Sequence, residues 1–208
     1  MEVGSFARAC SNVSVLFGCL GIAFKFAEMD YVAKASPRRH PRSLVFALPC
    51  PRGVRSAINC LLLPPFQVDD LLEASKSISK LPEMVELDIQ KGTVRQAGSH
   101  TRNMLRVKRG IDMVKILFEQ ILVTEGNSLR DAASKAYAQV FAPHHGWAIR
   151  KAVAAGMYAL PSKSQLLKKL NEDENSAKVQ MQTFIRASGP VILYVEDLFT
   201  SRNLGMDW

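Results

Sequence analysis

The sequence predicts an all-α protein, and three observations carry that expectation. Strand signals are scarce, and Ala, Leu, Lys, Glu and Met dominate the long periodic segments, as they do in helices. The stretch Ser99 to Gly126 repeats Val107, Val114, Leu117, Phe118 and Ile121 at helical spacing, which predicts an amphipathic helix of about seven turns. A chain of 208 residues that is 48% hydrophobic suits one domain, 1–208, with a sizeable core.

Taken in order, the first helix is expected from about Ser5 to Lys34. Val13 to Phe24 carry no charge, but Glu2 precedes them, no small-residue cleavage site follows, and Lys25, Glu28 and Asp30 continue the same pattern, so a signal-peptide core is not expected. Leu16, Cys19, Ala23 and Phe26 lie within about 40° of Asp30 on a helical wheel, which puts Asp30 on the apolar face. Lys34 stands one turn further along the same line. An acid and a base on a face that should be buried mark either an ion pair closing the helix or a binding site. The cysteines at 10, 19, 50 and 60 form no CxxC pair and read as free thiols in a reducing compartment.

Residues 35–67 break the pattern. They hold six prolines and five arginines with no acid, so the rest of the chain has 22 Lys and Arg against 19 Asp and Glu. The net charge of +8 is therefore concentrated in this segment. A flexible loop or a basic arm would fit, but the preferred reading is translated intron. Leu61 to Gln67 can be encoded by a pyrimidine-rich run ending in CAG, and Lys34-Ala35-Ser36 can be written as a GC-class splice donor. Excision keeps the frame and joins Lys34 to Val68 in one helical pattern.

Beyond it, helices are expected from Val68 to about Lys80 and from Pro82 to about Gln90, then the central helix, stopped by Glu125-Gly126-Asn127. Ser128 should cap Leu129 to Phe141. His144 to about Tyr158 follows, and Ser162 should cap a short basic helix through Leu170. Asp173 to about Ala187 should then be ended by Gly189-Pro190, with Val191 to about Arg202 as a separate last helix. No run reaches the roughly 18 apolar residues of a membrane span.

Arg102, Arg106 and Arg109 share one side of the central helix, with Arg106 at the edge of the apolar stripe. Paired guanidinium groups beside an apolar surface suit a phosphate with a greasy remainder, although a basic solvated face has the same spacing. Ala142-Pro143-His144-His145-Gly146-Trp147 adds a histidine able to bond a buried polar group and an amphipathic ring suited to a membrane interface. On one helix His145 and Trp147 would project about 200° apart. No histidine stands at metal-ligand spacing and His145 has no visible catalytic partner, so neither an enzyme nor a cofactor is expected. The arginines outside 35–67 follow an apolar stripe, unlike a nucleic-acid surface.

Together, Leu16 to Lys34, Ala97 to Gly110 and Tyr137 to Val153 resemble the glycolipid transfer protein family, in its plant branch of accelerated-cell-death-type ceramide-1-phosphate carriers. The likeness covers residues 6–34 and 68–208, and against the family pattern a first helix is absent ahead of the chain. The resemblance implies a two-layer helical sandwich enclosing a lipid pocket and intermembrane transfer of a sphingolipid. Ceramide-1-phosphate is the expected ligand, with a glycolipid or a non-transferring isoform as alternatives. It also implies that Asp30 binds the ceramide amide, His145 the amide carbonyl, and Lys34, Arg102 and Arg106 the phosphate. The sugar-binding branch has tryptophan where Arg106 stands. Phe17, Leu20, Phe24, Val107, Val114, Leu117 and Ile121 are expected in the pocket lining or the layer behind it. Trp147, Lys163, Lys168 and Lys169 are expected to touch the membrane during transient peripheral contact from the cytosol.

Overall fold

The computed structural model describes residues 1–20 and 65–208. The described residues are helical: α1 (Val3–Leu20), α2 (Pro65–Ala74), α3 (Leu81–Gln90), α4 (His100–Val123), α5 (Arg130–Val140), α6 (Trp147–Gly156), α7 (Lys163–Leu170) and α8 (Glu174–Thr200). Helix α4 is the hub and packs against α1, α2, α3, α5 and α8. Its buried Met104, Val107, Met113, Val114 and Leu117 run through the centre of the core. No described helix is long and apolar enough to cross a membrane.

Local chemistry sets most of the boundaries. Ser99 Oγ accepts from the Arg102 amide at 3.2 Å and opens α4. Ser162 and Gln165 form a reciprocal capping box that opens α7, and Asn171 ends it in the left-handed region at φ 58°. Gly126, at φ +100°, turns the chain away after α4, as its position in the stop signal requires. Helix α2 ends short of the expected Lys80. Ser75 Oγ and Ser77 Oγ take up the Leu72 and Ala74 carbonyls and so tighten its last turn. It also begins at Pro65, inside the segment assigned to the insertion, and Gln67 is already buried. Proline is well tolerated in a first helical turn.

Two further boundaries depart from expectation. Gly189-Pro190 does not break the last helix; α8 runs from Glu174 to Thr200 with Pro190 inside it. Met181, Ser188, Ile192, Val195 and Phe199 form one buried stripe across the proline, and that burial outweighs the roughly 3 kcal/mol a helical proline costs. Arg186, whose carbonyl loses its donor, is exposed and Ser188 Oγ donates to the Ile185 carbonyl at 3.2 Å. The expected helix from His144 to Tyr158 is likewise shorter. Ala142–His144 and Met157–Ala159 are single 3₁₀ turns, and His145 is extended at φ −104°, ψ 138° before α6 begins at Trp147.

Candidate functional site

The start of α4 is fixed by a buried carboxylate. Asp88 falls on the same stripe of α3 as Leu81, Met84 and Val85. Its Oδ2 accepts from the Thr101 amide at 2.8 Å, from Thr101 Oγ1 at 2.7 Å and from Ser99 Oγ at 2.9 Å. Burial pushes the Asp88 carboxyl up, but the hydrogen bonds from Thr101 and Ser99, with the nearby His100, outweigh it and hold the group below the ordinary range. Asp70 of α2 ties down the same turn, accepting from Asn103 Nδ2 at 2.9 Å and meeting His100 Nδ1 at 2.8 Å.

Arg102 and Arg106 follow on this anchored turn, and both are partly buried. The third member of the row has a different task. Arg109 is 5% exposed and donates from one nitrogen to the Met206 carbonyl at 2.7 Å and the Trp208 carbonyl at 2.8 Å. It thereby holds the segment after α8 against α4. Arg95 reinforces that segment, lying 5.4 Å from the Trp208 ring centroid and donating to the Leu204 carbonyl at 3.0 Å. Lys108 is buried between Asp112 and Glu196 and links α4 to α8. Burial pushes the Asp112 carboxyl up, with Glu196 adding to the rise, against the lowering effect of Lys108.

The turn after α5 carries the two histidines and packs back on α5. Burial, and then the charge of Arg109, push the His144 imidazole down. His145 is 5% exposed, its Nδ1 stands 2.9 Å from the Tyr137 hydroxyl, and its ring stacks on Phe141 at 5.7 Å and 8°. Two residues on, Trp147 is 69% exposed. The histidine and the tryptophan do part company, but through an extended residue at 145 rather than by opposite projection from one helix.

An apolar cavity of about 500 Å³ lies between α1, α4 and α8, with Phe6, Cys10, Val13, Val114, Phe118 and Phe184 in its wall. The size suits a small-molecule or lipid-chain pocket. Phe118 and Phe184 meet edge to face at 5.4 Å. Burial pushes the Cys10 thiol up to about 12, which leaves it an apolar wall group rather than a reactive one. Val114 lines the cavity, whereas Val107, Leu117 and Ile121 are buried in the core outside its wall, Ile121 beside a second cleft between the end of α4 and the start of α8.

A model of the family described as glycolipid transfer protein matches residues 67–172. The chain is 56% identical over 209 residues to accelerated cell death 11 of Arabidopsis thaliana, covering all of this chain and 85% of that one. The chain belongs to the glycolipid transfer protein family. A crystal structure of an Arabidopsis accelerated cell death 11 mutant complexed with C12 ceramide-1-phosphate superposes with a TM-score of 0.79 at 54% identity, covering 100% of this chain and 88% of that one. A structure described as selecting simple glycosphingolipids with the same fold matches at TM-score 0.69 and 17% identity, covering 100% and 89%. The all-α sandwich expected from sequence is therefore the fold of this glycolipid transfer protein family member.

Of the residues implied by the family resemblance, Arg102 and Arg106 are described and partly buried on α4, and His145 is described and buried between α5 and α6. Asp30, Lys34 and Phe24 lie outside the described residues, as do Cys50, Cys60 and the part of the expected first helix after Leu20, and the side chains of Phe17, Cys19 and Leu20 are likewise outside them. Lys168 and Lys169 are exposed on α7. Lys163 is 28% exposed and turned toward Glu174 at 3.6 Å. Asp88 and Tyr137 were not singled out from sequence. An acid on the apolar stripe of α3 was the available signal for the first; the second had none.

Proposed function

We propose that this chain carries a sphingolipid phosphate, ceramide-1-phosphate, between membranes without a vesicle. The observation that carries the reading is the division of labour along α4. Its first half presents the partly buried Arg102 and Arg106, and its second half supplies Val114 and Phe118 to an apolar cavity. A phosphate at one end and hydrocarbon at the other is the ligand this helix fits. The relative crystallised with C12 ceramide-1-phosphate supports the same chemistry. In this reading Arg102, Arg106 and Lys34 hold the phosphate, Asp30 takes the amide N–H, and His145 takes the amide carbonyl. Trp147 and Lys168, with Lys163 and Lys169 beside them, touch an anionic bilayer during pickup and release. Each methylene left in water would cost about 0.8 kcal/mol, so sheltering the chains is the whole task and no bond is made or broken.

Transfer between vesicles tests it. The chain should move ceramide-1-phosphate and leave glucosylceramide behind, because a guanidinium at 106 bonds a phosphate where an aromatic ring would stack on a sugar. Arg106→Trp should lower phosphate-lipid transfer by roughly 10- to 100-fold, the equivalent of one charge-assisted contact. Transfer by that variant at the parent rate would overturn the assignment.

A further inference from the structure

His145 is held by two neighbours from one stretch of chain. Tyr137, eight residues earlier on α5, brings its hydroxyl to 2.9 Å from Nδ1 in a buried setting. Phe141 lies nearly parallel to the ring in an offset stack, 8° between planes and 5.7 Å between centroids, which crowds the ring flip that would exchange the two nitrogens. A phenol is a much stronger acid than a neutral imidazole N–H, and an imidazole nitrogen is a much better base than a phenol oxygen. The favoured bond therefore runs from the Tyr137 hydroxyl to Nδ1, and the neutral ring must then carry its proton on Nε2.

We infer that Tyr137 is a positioning residue which fixes His145 as an Nε2–H donor for the carbonyl of an N-acyl chain. The inference rests on the carrier function proposed above and adds a selection step to it. A carbonyl oxygen only accepts, so a ring protonated on Nδ1 would turn a lone pair toward it and reject it. Lipid phosphates that lack the acyl carbonyl, such as a sphingoid base phosphate, would gain nothing from the arrangement. Arg102 and Arg106 then read the phosphate, while Tyr137 acts through His145 to read acylation.

The experiment uses the full chain and Tyr137→Phe, with C12 ceramide-1-phosphate and sphingosine-1-phosphate as probes. Ring ¹⁵N shifts of His145 should show Nε2 protonated in the parent and a mixture of tautomers in the variant. Affinity for C12 ceramide-1-phosphate should fall about tenfold, the scale of one buried hydrogen bond lost, while sphingosine-1-phosphate binds both proteins equally. An Nδ1–H tautomer in a parent that binds the acylated lipid overturns this inference alone, as does an unchanged affinity in the variant. Failure of the parent to bind C12 ceramide-1-phosphate overturns the carrier function instead. The tautomer of the parent needs no substitution, so the test survives a variant that does not fold.

Discussion

Asp88 shows how a residue remote from any ligand governs a site. Its carboxylate gathers the first amides and hydroxyls of α4, so the arginines that follow inherit their position from it. Asp88→Asn keeps an acceptor but places an NH₂ group among donors, and should lower stability by about 1.5–3 kcal/mol, measured by urea unfolding. Because the folded carboxyl is held below its ordinary value, the stability it contributes is complete above the unfolded pKa of about 3.9 and is lost as pH falls through the lower folded value. The parent should lose stability across that acid window, and the asparagine variant should lose less over the same titration. His145 and Trp147 separate in the same way by environment. His145→Ala should impair lipid binding with vesicle association intact, whereas Trp147→Ala should weaken vesicle association roughly tenfold, read by sedimentation with anionic liposomes. The arginine row was only partly legible. Spacing placed three guanidinium groups on one side of α4, but nothing in that spacing could say that Arg109 is taken by main-chain carbonyls of residues 97 and 99 positions away.

Among the helices, legibility followed how local the deciding interaction is. Ser99 and Ser162 cap where their hydroxyls reach amides three residues on, so short-range chemistry sufficed. The break expected at Pro190 does not occur because its outcome depends on a stripe of core contacts spread along α8, which outweighs a local cost that sequence states plainly. Gly189 beside it tests the same balance. Beyond its chain neighbours a Cβ built there meets nothing within 4 Å, so the roughly 0.5–1 kcal/mol entropy gain of Gly189→Ala is opposed only by crowding against the Pro190 ring, and the thermal midpoint should rise. An unchanged or lower thermal midpoint would mean that α8 uses the freedom at 189 to pass the proline. The shortened helix after His144 has the same origin. Its extended residue is held by Tyr137 and Phe141, partners that a periodicity argument on residues 144–158 does not see.

For the molecule as a whole, segment 35–67 is the sequence feature that fits least. It interrupts the run from Lys34 to Val68, and helix α2 is already under way at Pro65. Deleting residues 35–67 should raise vesicle-to-vesicle transfer and lift the thermal midpoint by about 5 °C, since closing the chain over an insertion of that length costs a few kcal/mol of entropy. Equal transfer by both chains would show that the segment is tolerated. At the other end, the chain after α8 alternates between partly buried Leu204, Met206 and Trp208 and exposed Asn203, Gly205 and Asp207. Arg109 grips this segment by its carbonyls, so it is indifferent to which side chains pass through but not to their count. The tail behaves like text read in a frame: its exposed letters can drift freely, whereas the loss or gain of a single residue would shift every later one to the wrong face and withdraw the Trp208 ring from Phe199 and Arg95 at a stroke.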